Sequence, residues 1–243
     1  MDALWNVVEN AAILVAGLAV RFTIAIALLA VLVAVLLPFV YAGEGVRRLW
    51  RRATGFDSVG GVTWRKGTYY SPAHAWLRAR AGQLRMGLDD FAGRLLHSID
   101  AVKLPALGTD LKVGDALLTV AAGKRGVMIP SPVEGRVVRI NRGLLENPRS
   151  LVDDPYGRGW LVEISPAGEA FRGLKRDAEA RKWMSSEAIR LSHALEHATG
   201  ILAADGGELV LPTHLLISEE QRVALERQFL GAMPVRVEEE VEA

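Results

Sequence analysis

The chain has 243 residues, 29 Lys and Arg against 28 Asp and Glu, and a formal net charge of +1. That balance leaves no electrostatic footprint for nucleic acid. There is no cysteine, which excludes disulfides, Cys-ligated zinc and Cys-bound iron–sulfur clusters; a metal site would need carboxylates and histidines.

Half of the residues are hydrophobic, and the excess sits in the first 43 positions. Residues 1–20 are fairly apolar, with Asp2, Glu9 and Asn10 as polar exceptions, and are expected to form an interfacial or extended helix. Phe22 to Tyr41 carries no charge, and Thr23 is its one polar residue. A helix of that length rises about 30 Å, the thickness of a bilayer core, so residues 21–43 are expected to be a transmembrane helix. The run is too long for the apolar part of a signal peptide, and the residues before it are acidic rather than basic. Basic residues crowd the far side: Arg47, Arg48, Arg51 and Arg52 follow the span, and only Arg21 precedes it. The positive-inside rule then gives an inner-membrane, single-pass protein with its N-terminus outside and its main domain in the cytoplasm. Arg21, Tyr41, Arg47, Arg48, Trp50, Arg51 and Arg52 are the expected membrane-interface residues, in contact with lipid headgroups.

Residues 44–66 read as a basic juxtamembrane linker, Gly-rich and polar from Thr54 to Gly61. Short strand signals follow. Ala75–Arg80 and Gln83–Leu88 flank Ala81-Gly82 as a hairpin. Asp89-Asp90 suits the start of a short helix over Phe91–Leu96. Strands are expected over Ala101–Leu104, Ala116–Ala121, Val127–Ile129, Gly135–Ile140 and Trp160–Ile164, with Leu144–Val152 a short helix or loop. Gly123-Lys124-Arg125-Gly126 is a tight turn between two of these strands. Many short strands with Gly and Pro turns indicate a β-sandwich or small barrel over residues 67–166.

From Gly168 the pattern becomes helical, and residues 167–233 read as a helical extension with a small hairpin around Asp205-Gly206-Gly207. Ser186–Ala198 carries an apolar stripe of Ile189, Leu191, Leu195 and Ala198. Ser218-Glu219-Glu220-Gln221 is a capping box opening a helix to Leu230. Residues 234–243 form an acidic tail. Within the first helix, His193, Glu196 and His197 match the H-x-x-E-H spacing of a zinc protease family, a weak metal candidate because its third ligand should come much later. No nucleophile–base pair is visible, so the chain is not expected to be an enzyme.

Several motifs between Tyr70 and Pro166 go further than pattern. Pro72-Ala73-His74-Ala75-Trp76-Leu77, Gly87-Leu88-Asp89-Asp90-Phe91-Ala92 with Leu95, and Leu104-Pro105-Ala106-Leu107-Gly108 occur in order. They are followed by Pro132-Val133-Glu134-Gly135, Asn141, Asn147-Pro148 and Asp154-Pro155-Tyr156-Gly157-Arg158-Gly159-Trp160-Leu161. This stretch resembles the glycine cleavage system H proteins, the lipoyl carriers. The resemblance implies an α+β chain whose middle is a flattened β-barrel of two small antiparallel sheets, carrying a modifiable lysine at a hairpin tip. In the family that lysine lies eight residues before the proline of P-x-S-G and ten after the glycine of a G-D pair; here both spacings select Lys124, counted from Pro132 and Gly114. Gly123 and Gly126 suit a sharp turn around it, and Arg125 adds a second cation. The family's E-S-V-K is here Ala121-Ala122-Gly123-Lys124, without the acidic residue.

Two functions are consistent with this reading. The first is a membrane-anchored structural or accessory subunit of a photosynthetic or respiratory complex, without cofactor, partnered by integral-membrane subunits through its helix and β domain. Its layout is similar to that of the H subunit of purple-bacterial reaction centres. The alternative is a carrier in which lipoyl on Lys124 shuttles aminomethyl or acyl groups, or reducing equivalents. Neither involves nucleic acid.

Overall fold

Alternating burial marks strands such as Val62–Arg65 and Gly135–Ile140, while central strands such as Trp160–Pro166 are buried almost throughout. The computed structural model describes residues 17, 18, 20–26, 28, 29, 32, 55–96, 99–123, 125–199, 204, 205, 208, 209 and 217–236. Two units are separable, residues 1–54 and residues 55–243.

In the first unit the described residues between 17 and 32 are helical, and Leu18, Phe22, Leu28 and Leu32 are exposed. Among the described residues no helix is long and apolar enough to cross a membrane. This corrects the expected transmembrane helix over 21–43. An apolar run means only that a segment avoids water, whereas a span needs about 20 consecutive apolar residues in one helix. With the anchor go the single-pass inner-membrane location, the outside N-terminus, the lipid contacts, and the integral-membrane subunits as partners. Tyr41, Arg47, Arg48, Trp50, Arg51 and Arg52 lie outside the described residues; Arg21 is on the described helix.

The second unit begins with a hairpin, β1 (Phe56–Val59) and β2 (Val62–Arg65), joined at Gly60-Gly61. Of the stretch read as a linker, residues 44–66, the described part from residue 55 onward is therefore structured. Val62 and Trp64 point into the core while their neighbours stay half-exposed, a period-2 pattern too short to stand out in the sequence.

The larger sheet uses β3 (Tyr69–Tyr70), β4 (Ala75–Arg80), β5 (Gln83–Leu88), β7 (Asp110–Leu111), β10 (Gly135–Ile140), β11 (Trp160–Pro166) and β12 (Lys175–Arg176). Its order is β12-β3-β4-β5-β11-β10-β7, antiparallel throughout. The smaller sheet has β6 (Ala101–Lys103), β8 (Ala116–Ala122), β9 (Arg125–Pro130) and β15 (Met233–Arg236) in the order β15-β9-β8-β6. A separate pair joins β13 (Ala204–Asp205) to β14 (Glu208–Leu209). Neither large sheet closes, which corrects the expected flattened barrel. Closure requires the two edges to pair, and the edges of the larger sheet are the two-residue strands β12 and β7, each bonded on one side only. The α+β class stands.

Helices cover the sheets. Helix α1 (Asp90–Leu95) starts at Asp89, whose side chain accepts from the Ala92 amide at 2.9 Å, and it buries Phe91, Ala92 and Leu95. Two short helices, α2 (Arg142–Glu146) and α3 (Ser150–Asp153), fill the connection between β10 and β11. Helix α4 (Asp177–Thr199) buries Ala180, Met184, Ala188, Leu191 and Leu195, one stripe at helical spacing. Ile189, assigned to that stripe from sequence, is 54% exposed. Helix α5 (Glu219–Leu230) carries the expected capping box and ends at Gly231 in the left-handed conformation. Phe91 of α1 meets Phe229 of α5 with ring centroids 5.5 Å apart.

Candidate functional site at the β8–β9 turn

Strands β8 and β9 pair from Ala116↔Pro130 to Ala122↔Arg125. Two residues, Gly123 and Lys124, make the connection. The favoured two-residue hairpin turns need positive φ at the first central position, and Gly123 has φ +60°. Gly123 is exposed, and a Cβ there would meet nothing within 4 Å, so the requirement is conformational rather than steric. Lys124 occupies the second central position in sequence and lies outside the described residues.

Both sides of the turn are held. On the β6 side the Gly123 amide donates to Asp100 Oδ2 at 2.7 Å, and the Asp100 amide donates to the Ala121 carbonyl at 2.9 Å. On the other side Arg125 Nη1 lies 2.9 Å from Glu219 Oε1, and Arg125 Nη2 donates to Glu226 Oε2. The second cation expected beside the lysine is thus paired with two carboxylates of α5. Burial pushes the Glu226 carboxyl up from its ordinary value, opposed by the nearby Arg125 and Arg222 guanidiniums.

Gly126 plays a different part from the one expected. It is not among the positive-φ glycines. A Cβ there would lie 2.6 Å from Val235 Cγ2 and 2.9 Å from the Val235 carbonyl oxygen, so its bareness admits β15. That strand runs antiparallel to β9, with Val235↔Gly126 and Arg236↔Arg125 in register.

The base of the hairpin rests on the Gly114-Asp115 pair. Gly114 has φ +94°, its amide donates to the Ser131 carbonyl at 2.9 Å, and Ser131 donates back to the Asp115 carbonyl at 2.7 Å. Other motif positions admit close approaches of backbone or bind it. A Cβ on Gly135 would sit 2.5 Å from the Ser165 carbonyl oxygen, and one on Gly159 would sit 2.4 Å from that of Ser150. Asn141 donates from Nδ2 to the carbonyls of Arg158 at 2.6 Å and Trp160 at 2.7 Å.

The weak metal candidate is not assembled. His193 Nδ1 is 3.8 Å from Glu196 Oε2 on the exposed side of α4, and His197 is exposed as well. Among the described residues no three potential ligands come together. Asp100, Glu226 and Val235 were not singled out from sequence, and Glu219 only as a member of a capping box. They act from 23 to 109 positions away along the chain, and no local pattern announces such a pairing.

A family model described as glycine cleavage H-protein matches residues 68–187. The chain is similar to the glycine cleavage system H protein of Coprothermobacter proteolyticus, 38% identical over 123 residues, covering 50% of this chain and 97% of that one. It is similar also to the H protein of Carboxydothermus hydrogenoformans, 33% identical over 101 residues, covering 42% and 78% of the two chains. The crystal structure of the H protein from Mycobacterium marinum matches with a TM-score of 0.44 and 24% identity, over 51% of this chain and 99% of that one.

Proposed function

The chain belongs to the glycine cleavage H-protein family, and from that premise we propose that it is a carrier whose group rides on Lys124. Proteins of this family are non-catalytic lipoyl carrier subunits. The expected membrane-anchored accessory subunit of an energy-transducing complex is set aside. Its anchor is not found among the described residues, and the family is one of carriers.

The observation that carries the assignment to Lys124 is the two-residue connection, with Gly123 exposed at φ +60° and open space around it. A lipoyl group joined there by an amide fits such a turn because no neighbouring side chain crowds Gly123. When bound, lipoyl supplies paired sulfurs able to accept and release electrons or a transferred group; a Cys-free chain has none of its own. The protein's share is to present the lysine on a rigid support. Asp100 and Arg125 hold the two residues that flank Lys124, Gly123 through its amide and Arg125 through its guanidinium.

The test is intact-mass spectrometry of the full chain after incubation with lipoate, ATP and a lipoate–protein ligase. One lipoyl amide is expected on the wild type and none on Lys124→Arg, with peptide mapping placing it at residue 124. Modification of Lys124→Arg at the wild-type level would reject the assignment.

A further inference from the structure

We infer that the C-terminal segment Ser218–Arg236 is an intrachain clasp that positions the Lys124 turn, with Arg125 as the positioning residue through which it acts. The inference rests on the carrier reading for what the turn does, but its geometry stands without it. The family match ends at residue 187, so the clasp lies outside the matched region.

The clasp grips the turn in three ways. Its strand β15 pairs with β9 up to Arg236↔Arg125, the residue next to Lys124. Val235 closes over Gly126 at a distance that no side chain on residue 126 could share. Its helix α5 then supplies both carboxylates to the Arg125 guanidinium: Glu226, whose side chain is 5% exposed, and Glu219, 57% exposed. Arg222 bridges the same two acids, pairing with Glu219 and lying 4.0 Å from Glu226.

The clasp is itself anchored. Leu225, Phe229 and Leu230 are buried, Phe229 packs on Phe91, and the Arg190 guanidinium sits 5.1 Å over the Phe229 ring. Helix and strand are joined rigidly: Gly231 donates to the Arg227 carbonyl at 3.1 Å and Ala232 to that of Glu226 at 3.4 Å. A hairpin end without such support opens readily, since few contacts oppose its fraying. Here Arg125 is bound to β8, to β15 and to α5 at once. A modifying enzyme therefore meets Lys124 on a fixed base.

Two measurements on the full chain test this: hydrogen exchange at the amides of residues 123–126, and the rate of ligase-catalysed lipoate attachment. Glu226→Gln keeps the side-chain volume, Arg125→Gln shortens the side chain, and each removes the charge pair. Each is expected to speed exchange at the turn by about tenfold, the effect of losing one charge-assisted hydrogen bond. Exchange in β5 should remain unchanged and attachment should slow several-fold. Arg125→Lys should recover part of both effects, which loss of general stability would not produce. Turn exchange at the wild-type rate in both Gln variants would overturn the clasp. If the wild type takes no lipoate while turn exchange still responds, the carrier reading fails and the clasp stands.

Discussion

His74 Nδ1 lies 2.9 Å from Asp89 Oδ2, and neither side chain has any exposure to solvent. Asp89 is shared: its other carboxylate oxygen caps α1 through the Ala92 amide. His74 is stacked between Phe91, 3.9 Å away and nearly parallel, and Trp183, at 4.6 Å. It has φ +58°, a conformation a non-glycine residue adopts only when its surroundings impose it. Asp89→Ala is therefore expected to remove a helix cap and strand a buried imidazole, costing about 2–4 kcal/mol. Urea unfolding followed by circular dichroism measures it, and a loss below 1 kcal/mol would show that the pair is dispensable.

Two glycines three residues apart should respond differently to alanine. Gly123→Ala meets open space but must hold φ near +60°, an expected cost of about 1 kcal/mol. Gly126→Ala meets Val235 side chain and backbone together, so β15 must move away, at about 1–3 kcal/mol. Limited proteolysis separates the cases: strand β15, Met233–Arg236, should become cleavable in Gly126→Ala and remain protected in Gly123→Ala.

Gly87→Ala should be among the more damaging small substitutions in the larger sheet. A Cβ at this position would lie 2.6 Å from Trp76 Cε2 and Cζ2. Trp76 is fully buried and donates from Nε1 to the Pro155 carbonyl at 3.1 Å. Displacing the indole breaks that bond and overpacks its neighbours, for an expected loss of about 2–3 kcal/mol in chemical denaturation. Wild-type stability in Gly87→Ala would refute the close packing.

The raised Glu226 carboxyl gives a pH dependence of definite sign. Burial is the leading cause, and Arg125 and Arg222 oppose it; Glu219 is the other carboxylate in the cluster. With its folded value above its unfolded one, the folded state binds the proton more tightly. The stabilisation from this group is full below the unfolded value near 4.5 and is lost as pH rises through the folded value. Stability of the wild type relative to Glu226→Gln should therefore decline as pH is raised from about 4.5 towards neutrality. Denaturant midpoints of both proteins across that range decide it; a difference that grows with pH would reverse the sign.

What could be read from the chain alone was local. The hairpin Ala75–Arg80 with Gln83–Leu88 and the strand Gly135–Ile140 have the bounds expected from sequence, the first because Ala81-Gly82 marks its turn and the second because it alternates. The capping box at Ser218 is where expected, its hydrogen bonds running from residue 218 to residue 221. Helix α4 begins nine residues before the expected Ser186, since its buried stripe there consists of Ala180 and Met184 alone, and an alanine reads the same in sequence whether buried or exposed. Strand β15 was invisible because Pro234 is a poor strand former and acidic residues follow; its place comes from β9, more than 100 residues earlier. For the same reason the family resemblance could propose Lys124 through its motif spacing, while the charges that surround Arg125 had no local signal. The apolar run after Arg21 misled because hydrophobicity specifies avoidance of water and not the partner that provides it.

Strand β15 also decides what the smaller sheet offers to other molecules. Without it, the outward amides and carbonyls of β9 would form an open template beside Val127 and Ile129, the arrangement that invites a second copy to add on and aggregation to follow. With it, the rim is four residues long and includes a proline with no N–H to give. Strand β15 thereby protects the smaller sheet on this side against edge-to-edge association.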